Sequence, residues 1–130
     1  MRPGKNFRDT SFDHRKHISE NIKNRYPDRS PVILESEDVE LLQYKYLAPD
    51  DITVGKFLFE IRKHSTLGKE TAMFIFIITH NGGKILPNQT SLISSVHRSY
   101  KHEDGFLYMQ VTLENTFGGE GNSKLKQAFV

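Results

Sequence analysis

The sequence predicts an α+β fold, a four-stranded mixed sheet with two packed helices, preceded by an N-terminal helical extension. Three observations lead there. Val54, Phe57, Leu58 and Ile61 recur at i, i+3, i+4 and i+7, the spacing of a helix face pressed on a sheet. Residues 72–79 carry apolar side chains at both odd and even positions, as a strand covered on two sides does. Turn signals at Asn81-Gly82-Gly83 and Asp104-Gly105 separate these patterns at the intervals of one compact domain. At 130 residues the chain has the size of a single domain, expected to occupy residues 1–118, with the helical extension over about 1–27 and a flexible tail at 119–130.

Residues 1–11 are basic and mixed, and Pro3-Gly4 discourages helix there. From Phe12 onward, Ile18, Ile22 and Tyr26 at four-residue steps predict an amphipathic helix. Ser11 is its N-cap, Asp13 suits its first turn, and Pro27 terminates it. Residues 31–35, Pro-Val-Ile-Leu-Glu, read as a strand, followed by an acidic link at 36–40 and a partner strand at 42–47. In that partner strand Tyr44 and Tyr46 share one face, Lys45 and Leu47 the other, and Pro49 ends it. Thr53 caps the central helix, whose far side carries Lys56, Phe59, Glu60 and Lys63. Phe59 therefore needs a second partner or stands exposed.

The 72–79 strand is expected at the centre of the sheet. Leu92, Ile93, Val96 and Tyr100 mark a second sheet-facing helix, with Thr90 as its cap. Asp104-Gly105 then turns the chain into a last strand at 106–112. Strand, strand, helix, strand, helix, strand is the order of a ubiquitin-like β-grasp.

Composition narrows the function classes. There is no cysteine, which removes disulfides, thiolate zinc sites and a cysteine nucleophile. No apolar run reaches the ~18 residues of a membrane span, so membrane attachment has to be acquired. Charge is uneven: residues 1–30 hold eight basic and four acidic side chains, a surplus of +4, and residues 31–60 hold two and seven, a net of −5. Arg2, Lys5 and Arg8 could touch a polyanion, or form an ordinary solvated basic end. A nucleic-acid partner is not expected, because no stacking motif accompanies the surplus. His14 and His17 share a helix face without a third ligand, so no metal and no cofactor is expected. Asp50-Asp51, just before Thr53, favour the helix N-terminus rather than paired-carboxylate catalysis, and no catalytic residue is assigned.

The remaining chemistry lies at Glu114-Asn115-Thr116-Phe117-Gly118. A glycine lets an extended segment enter a narrow tunnel and bring its carbonyl to an attacking thiolate, so the Gly118-Gly119 bond suits acyl transfer. Thr116 favours an extended backbone and Phe117 offers an apolar grip. The same triplet also fits a plain loop or helix end.

Four blocks decide between these readings: RYPDRSPVI at 25–33, KYLAPDDITVGKF at 45–57, DGFLYM at 104–109 and ENTFG at 114–118. Through them residues 12–118 resemble the autophagy-related ubiquitin-like modifiers, the family of microtubule-associated-protein light chain 3 and GABA-receptor-associated protein. The resemblance implies a non-enzymatic modifier, cut after Gly118 by a processing cysteine protease. Activating and conjugating enzymes would then link it through Gly118 to phosphatidylethanolamine, giving a cytoplasmic pool and a pool on the autophagosomal membrane. It also implies recognition of cargo receptors bearing aromatic-x-x-aliphatic motifs by strand addition along residues 45–48.

On that resemblance the aromatic pocket comprises Ile22, Pro31, Ile33, Lys45, Leu47 and Phe106, and the aliphatic pocket Tyr46, Ala48, Pro49, Phe57, Glu60 and Ile61. Arg29, Arg62 and Lys63 would meet acidic flanks. Plain core packing is the competing reading for each pocket residue, while Pro31 and Lys45 favour a rim. The chain departs from the family pattern in having Glu60 in place of an aliphatic side chain, Tyr44 and His64 in place of basic ones, and Ile18 at an often acidic position. Its 36–40 link is shorter, its link after Gly83 longer and its tail longer. An unconjugated ubiquitin-fold interaction module is the alternative function.

Overall fold

A computed structural model of the chain describes residues 6–68 and 71–113. Helix α1 (Phe12–Arg25) starts where expected, with the Ser11 hydroxyl accepting the His14 N–H and Asp13 in the first turn. Strands β1 (Arg29–Glu35) and β2 (Lys45–Pro49) pair antiparallel, from Arg29 opposite Pro49 to Ile33 opposite Lys45. Pro31 is tolerated in β1 although it has no N–H to donate. It faces Leu47 at a position that exchanges no bonds with β2, and the pairing with β5 begins only at Val32. β2 starts later than the expected residue 42. The preceding segment turns away instead, Leu41 bridging to Ser65 and the Leu42 N–H donating to the His64 carbonyl (3.1 Å), which leaves Leu42 exposed.

Helix α2 (Val54–Lys63) is capped by Thr53, whose hydroxyl accepts the Lys56 N–H at 3.1 Å, and it buries Val54, Phe57 and Ile61. Strand β3 (Met73–Ile78) runs through a turn at Gly82, φ +91°, into the two-residue strand β4 (Lys84–Ile85), which raises the sheet from the expected four strands to five. Helix α3 (Ile93–Tyr100) has no side-chain cap. Thr90, expected there, bonds through its N–H and hydroxyl to Asn88 Oδ1, and Leu92 is exposed rather than turned to the sheet.

Strand β5 (Leu107–Leu113) runs parallel to β1 and antiparallel to β3, giving the order β2-β1-β5-β3-β4. The middle strand is thus β5, not the expected 72–79 strand. β3 is apolar at every position while one face of β5 carries Tyr108, Gln110 and Thr112, so apolar content points to the wrong strand and the order is set by long-range pairing.

Side chains alternate across the sheet and build two cores. On the inner face α2 and α3 cover Val32, Leu34, Ala48, Ile75, Leu107 and Met109. On the outer face Ile33, Ile78, Phe106 and Tyr108 pack beneath Ile18 and Ile22 of α1, joined by Phe7 from a 3₁₀ turn at Phe7–Asp9. The placement of residues 6–11, not readable in the sequence, comes from this buried ring.

A polar knot fastens α1 down. Asp104 accepts from Arg15 Nε (2.9 Å), the Tyr108 hydroxyl (2.6 Å) and the Phe106 N–H (2.9 Å), and the Ser19 hydroxyl donates to the Asp104 carbonyl. Burial opposes the Arg15 charge, but the Asp104 hydrogen bond and neighbouring charges outweigh it and raise its pKa. Burial, then the bond to Asp104, pushes the Tyr108 pKa well up. Gly105 sits at φ +93°, and a side chain there would collide with Ser19 Oγ.

Candidate functional site

β2 lies at the end of the sheet, and its pairing with β1 fixes which backbone groups are free. The Leu34 N–H donates to the Tyr44 carbonyl (2.8 Å), so Tyr44, Tyr46 and Ala48 face β1 with their backbone bonds. Lys45 and Leu47 therefore turn their N–H and C=O groups to the outside. Two side chains already use those carbonyls: Gln43 Nε2 donates to Lys45 O at 2.9 Å, and Arg29 Nη1 donates to Leu47 O at 3.1 Å. This edge has the register and polarity that an added strand needs.

The residues expected in the aromatic pocket converge on the outer face beside this edge. Ile33 and Phe106, 1% and 2% exposed, form a floor. Pro31 is buried next to them, Ile22 of α1 and Leu47 of β2 are half-buried walls, and Lys45 is exposed at the rim. Apolar side chains from three elements thus gather beside this edge, with a cation at the rim. Phe7, absent from the expected set, stands edge-on to Phe106 with ring centroids 5.0 Å apart. Its one sequence signal is Asn6, whose side chain accepts the Arg8 N–H and caps the short turn.

The aliphatic set is built differently. Ala48, Phe57 and Ile61 are at most 2% exposed and belong to the inner core, so here the packing reading describes them. Tyr46 is half-buried, its ring 5.4 Å from Phe57 in an edge-to-face arrangement, and Pro49 is half-buried at the end of the strand. Burial raises the Tyr46 pKa, and its buried hydroxyl makes no hydrogen bond among the described residues. Glu60 is not an unpaired carboxylate. It meets Lys63 at 3.4 Å and Lys56 at 3.9 Å on the exposed side of α2, where both ammonium groups also lie over the Phe59 ring, at 5.0 and 5.1 Å. Phe59 is exposed, with these two lysines as its second contact.

Of the three cations expected to meet acidic flanks, Arg62 donates to the Gly68 carbonyl (3.1 Å) and Lys63 is taken by Glu60. Arg29 is engaged as well, by the Leu47 carbonyl, but it is exposed on the β2 edge itself, which makes it the one best placed. Arg8, considered for polyanion contact, is instead bound internally to Glu35 (2.7 Å) and lies 4.5 Å over the Tyr108 ring. Asp50 accepts from Ser30 Oγ (3.0 Å), tying β1 to the turn before α2. Among the described residues no His, Asp and Glu group could hold a metal ion. A cleft of about 690 Å³ between α1 and α3 is lined by mixed charges, including Lys23, Asp50, Arg98 and Glu103, and by none of the residues expected in either pocket. Thr116, Phe117, Gly118 and the Gly118-Gly119 bond lie outside the described residues.

Comparison with known proteins gives this geometry a context. The family model described as "Autophagy protein Atg8 ubiquitin like" matches residues 14–118. The chain is 46% identical over 114 residues to autophagy-related protein 8 of Schizosaccharomyces pombe, covering 85% of this chain and 90% of that one. It is 43% identical over 117 residues to autophagy-related protein 8 of Dictyostelium discoideum, covering 86% and 92%. Among solved structures, Trypanosoma brucei ATG8 superposes with a TM-score of 0.69 at 30% identity, over 85% of this chain and 95% of that one. Plasmodium falciparum Atg8, solved in complex with a Plasmodium falciparum Atg3 peptide, gives a TM-score of 0.69 at 28% identity, over 86% and 96%.

Proposed function

Because the chain belongs to the Atg8 family of ubiquitin-like autophagy proteins, we propose that it is a modifier, conjugated through Gly118 to phosphatidylethanolamine after removal of residues 119–130. A processing protease and the activating and conjugating enzymes act on it, and it contributes no catalytic residue of its own. Once conjugated, it presents the β2 edge to receptors carrying an aromatic-x-x-aliphatic motif.

The observation that carries the docking half is the outward-facing backbone of Lys45 and Leu47 running beside the apolar cluster of Ile22, Ile33 and Phe106, with Pro31 and Leu47 paired next to it. A strand added there gains main-chain bonds for register while its aromatic side chain leaves water. Arg29 meets acidic residues flanking the motif, a contact worth about 0–1 kcal/mol at an exposed site. The solved complex of the Plasmodium falciparum relative with an Atg3 peptide supports peptide recognition within this pathway.

The membrane half rests on physical chemistry and family membership. No helix among the described residues is long and apolar enough to cross a bilayer. Two acyl chains, at about 0.8 kcal/mol per buried methylene, would hold a protein that has no such segment. The expected distribution is a cytoplasmic pool and a lipid-linked pool on autophagosomal membranes.

Two measurements test the halves separately. Incubated with cell extract, the full chain should lose the mass of residues 119–130, and Gly118→Ala should abolish both this loss and the membrane-bound product. Normal accumulation of membrane-bound Gly118→Ala protein defeats the conjugation reading and leaves an unconjugated interaction module in its place. Titrating a Trp-x-x-Leu peptide should shift the amides of residues 45–48 first, and shifts confined to other elements refute the docking edge.

A further inference from the structure

Phe7 lies ahead of the matched family stretch, which begins at residue 14, yet its ring is only 7% exposed on the outer face of the sheet. The Lys45 ammonium sits over that ring at 5.6 Å and over the Tyr44 ring at 5.7 Å. Tyr44 precedes Lys45 along the chain and Leu47 follows it. Phe7 also stands edge-on to Phe106, so the contact holds the cation beside the aromatic site rather than free in solvent.

A carboxylate diagonal to Lys45 across the strand pair is Glu35, one outward-facing step along β1 from Ile33, the residue opposite Lys45. Glu35 is already engaged by Arg8, through Nε at 2.7 Å and Nη2 at 3.3 Å. Adjacent residues of one short turn thus do complementary work: Phe7 receives the lysine and Arg8 occupies the carboxylate that would otherwise compete for it.

We propose that Phe7 is a positioning residue for motif recognition, its ring fixing the Lys45 ammonium at the rim of the aromatic site so that this side chain is ordered in advance where an incoming aromatic residue would pack. The inference rests on the docking reading above. It assigns a role in ligand selection to an N-terminal turn that precedes the ubiquitin-like body.

Phe7→Leu in the full chain keeps an apolar side chain in the outer core while removing the π face. Titrated by calorimetry with a Trp-x-x-Leu peptide, it should bind about two- to fivefold more weakly, the worth of one exposed cation–π contact. In a Lys45→Ala background the same substitution should change affinity by less than about 1.5-fold, since the group it positions is gone. In the free protein, the Lys45 ε-methylene protons should show an upfield ring-current displacement that Phe7→Leu largely removes. An equal loss with and without Lys45, unchanged affinity in Phe7→Leu, or unmoved ε-methylene resonances overturns the proposal. If the unsubstituted chain does not bind the peptide, the docking reading itself fails and takes the proposed role with it. Peptide binding that is normal but indifferent to Phe7→Leu overturns this inference alone.

Discussion

The two faces of strand β2 follow opposite rules. On the outer face Leu47 is half-buried and Lys45 exposed, so solvent reaches the strand's side chains there, while Ile33 and Phe106 beside it are dry. On the inner face Ala48 is 2% exposed and packs in the same core as Phe57 and Ile61, which leaves no comparable opening. An aromatic side chain could enter the outer site with movement of walls alone. An aliphatic side chain on the inner side needs Tyr46, Pro49 or the end of α2 to shift first. On the docking reading, strand addition would therefore spend more of its binding free energy opening the inner side than the outer.

The largest expected effect separates the faces by stability. Phe57→Ala empties a site 2% exposed in the inner core and should cost about 3–5 kcal/mol in a urea unfolding experiment. Leu47→Ala, on a half-buried wall, should cost about 1 kcal/mol, because solvent already reaches part of the side chain. Equal costs would mean that the outer wall is core as well, and the contrast between the faces would disappear.

What was legible in the sequence divides along similar lines. The spacing of Val54, Phe57, Leu58 and Ile61 and the Thr53 cap gave α2 almost residue for residue, because periodicity and capping are local. The start of β2 was not legible. Leu41 and Leu42 look as strand-like as their neighbours, and only their pairing with Ser65 and His64, far along the chain, removes them from the strand. β3 was expected at the centre because it is apolar throughout, whereas β5 carries Tyr108, Gln110 and Thr112 on one face; the order follows instead from long-range register.

At the site, the pattern of alternation placed Lys45 and Leu47 on one face and Tyr46 on the other. It did not distinguish a pocket from a core, since Phe57 and Ile61 have the side chains that either requires. Phe7 escaped notice because one aromatic in a basic segment has no period. The paired Glu60 shows the reverse error: its charge suggested a cost, while Lys56 and Lys63 at helical spacing neutralise it on the exposed side.

A smaller effect probes the inner face directly. Tyr46 keeps a hydroxyl in a buried position with no hydrogen bond among the described residues, and burial raises its pKa. Tyr46→Phe removes that unmet polar group without changing the ring contact with Phe57. Stability should stay the same or rise by up to about 1 kcal/mol. A loss larger than about 1 kcal/mol would show that the hydroxyl is bonded in solution, and that the inner face is wetter than its packing suggests.

The smallest effect concerns the edge shared by both faces. The outward carbonyls of Lys45 and Leu47, which an added strand would use, accept from Gln43 Nε2 and Arg29 Nη1 in the free chain. Each side chain must leave before a ligand N–H can take its place, so each contact works against docking by its net strength, about 0.5 kcal/mol for an exposed neutral hydrogen bond. Gln43→Ala should therefore bind a Trp-x-x-Leu peptide about twofold more tightly, mainly through faster association, with the unfolding midpoint unchanged. Arg29→Ala removes a similar cap but also a cation, so its gain should appear with a peptide lacking acidic flanks and vanish or reverse with an acidic one. Identical responses of the two variants to flank charge would show that the Arg29 guanidinium acts only as an edge cap, leaving recognition of acidic flanks to residues elsewhere on the surface.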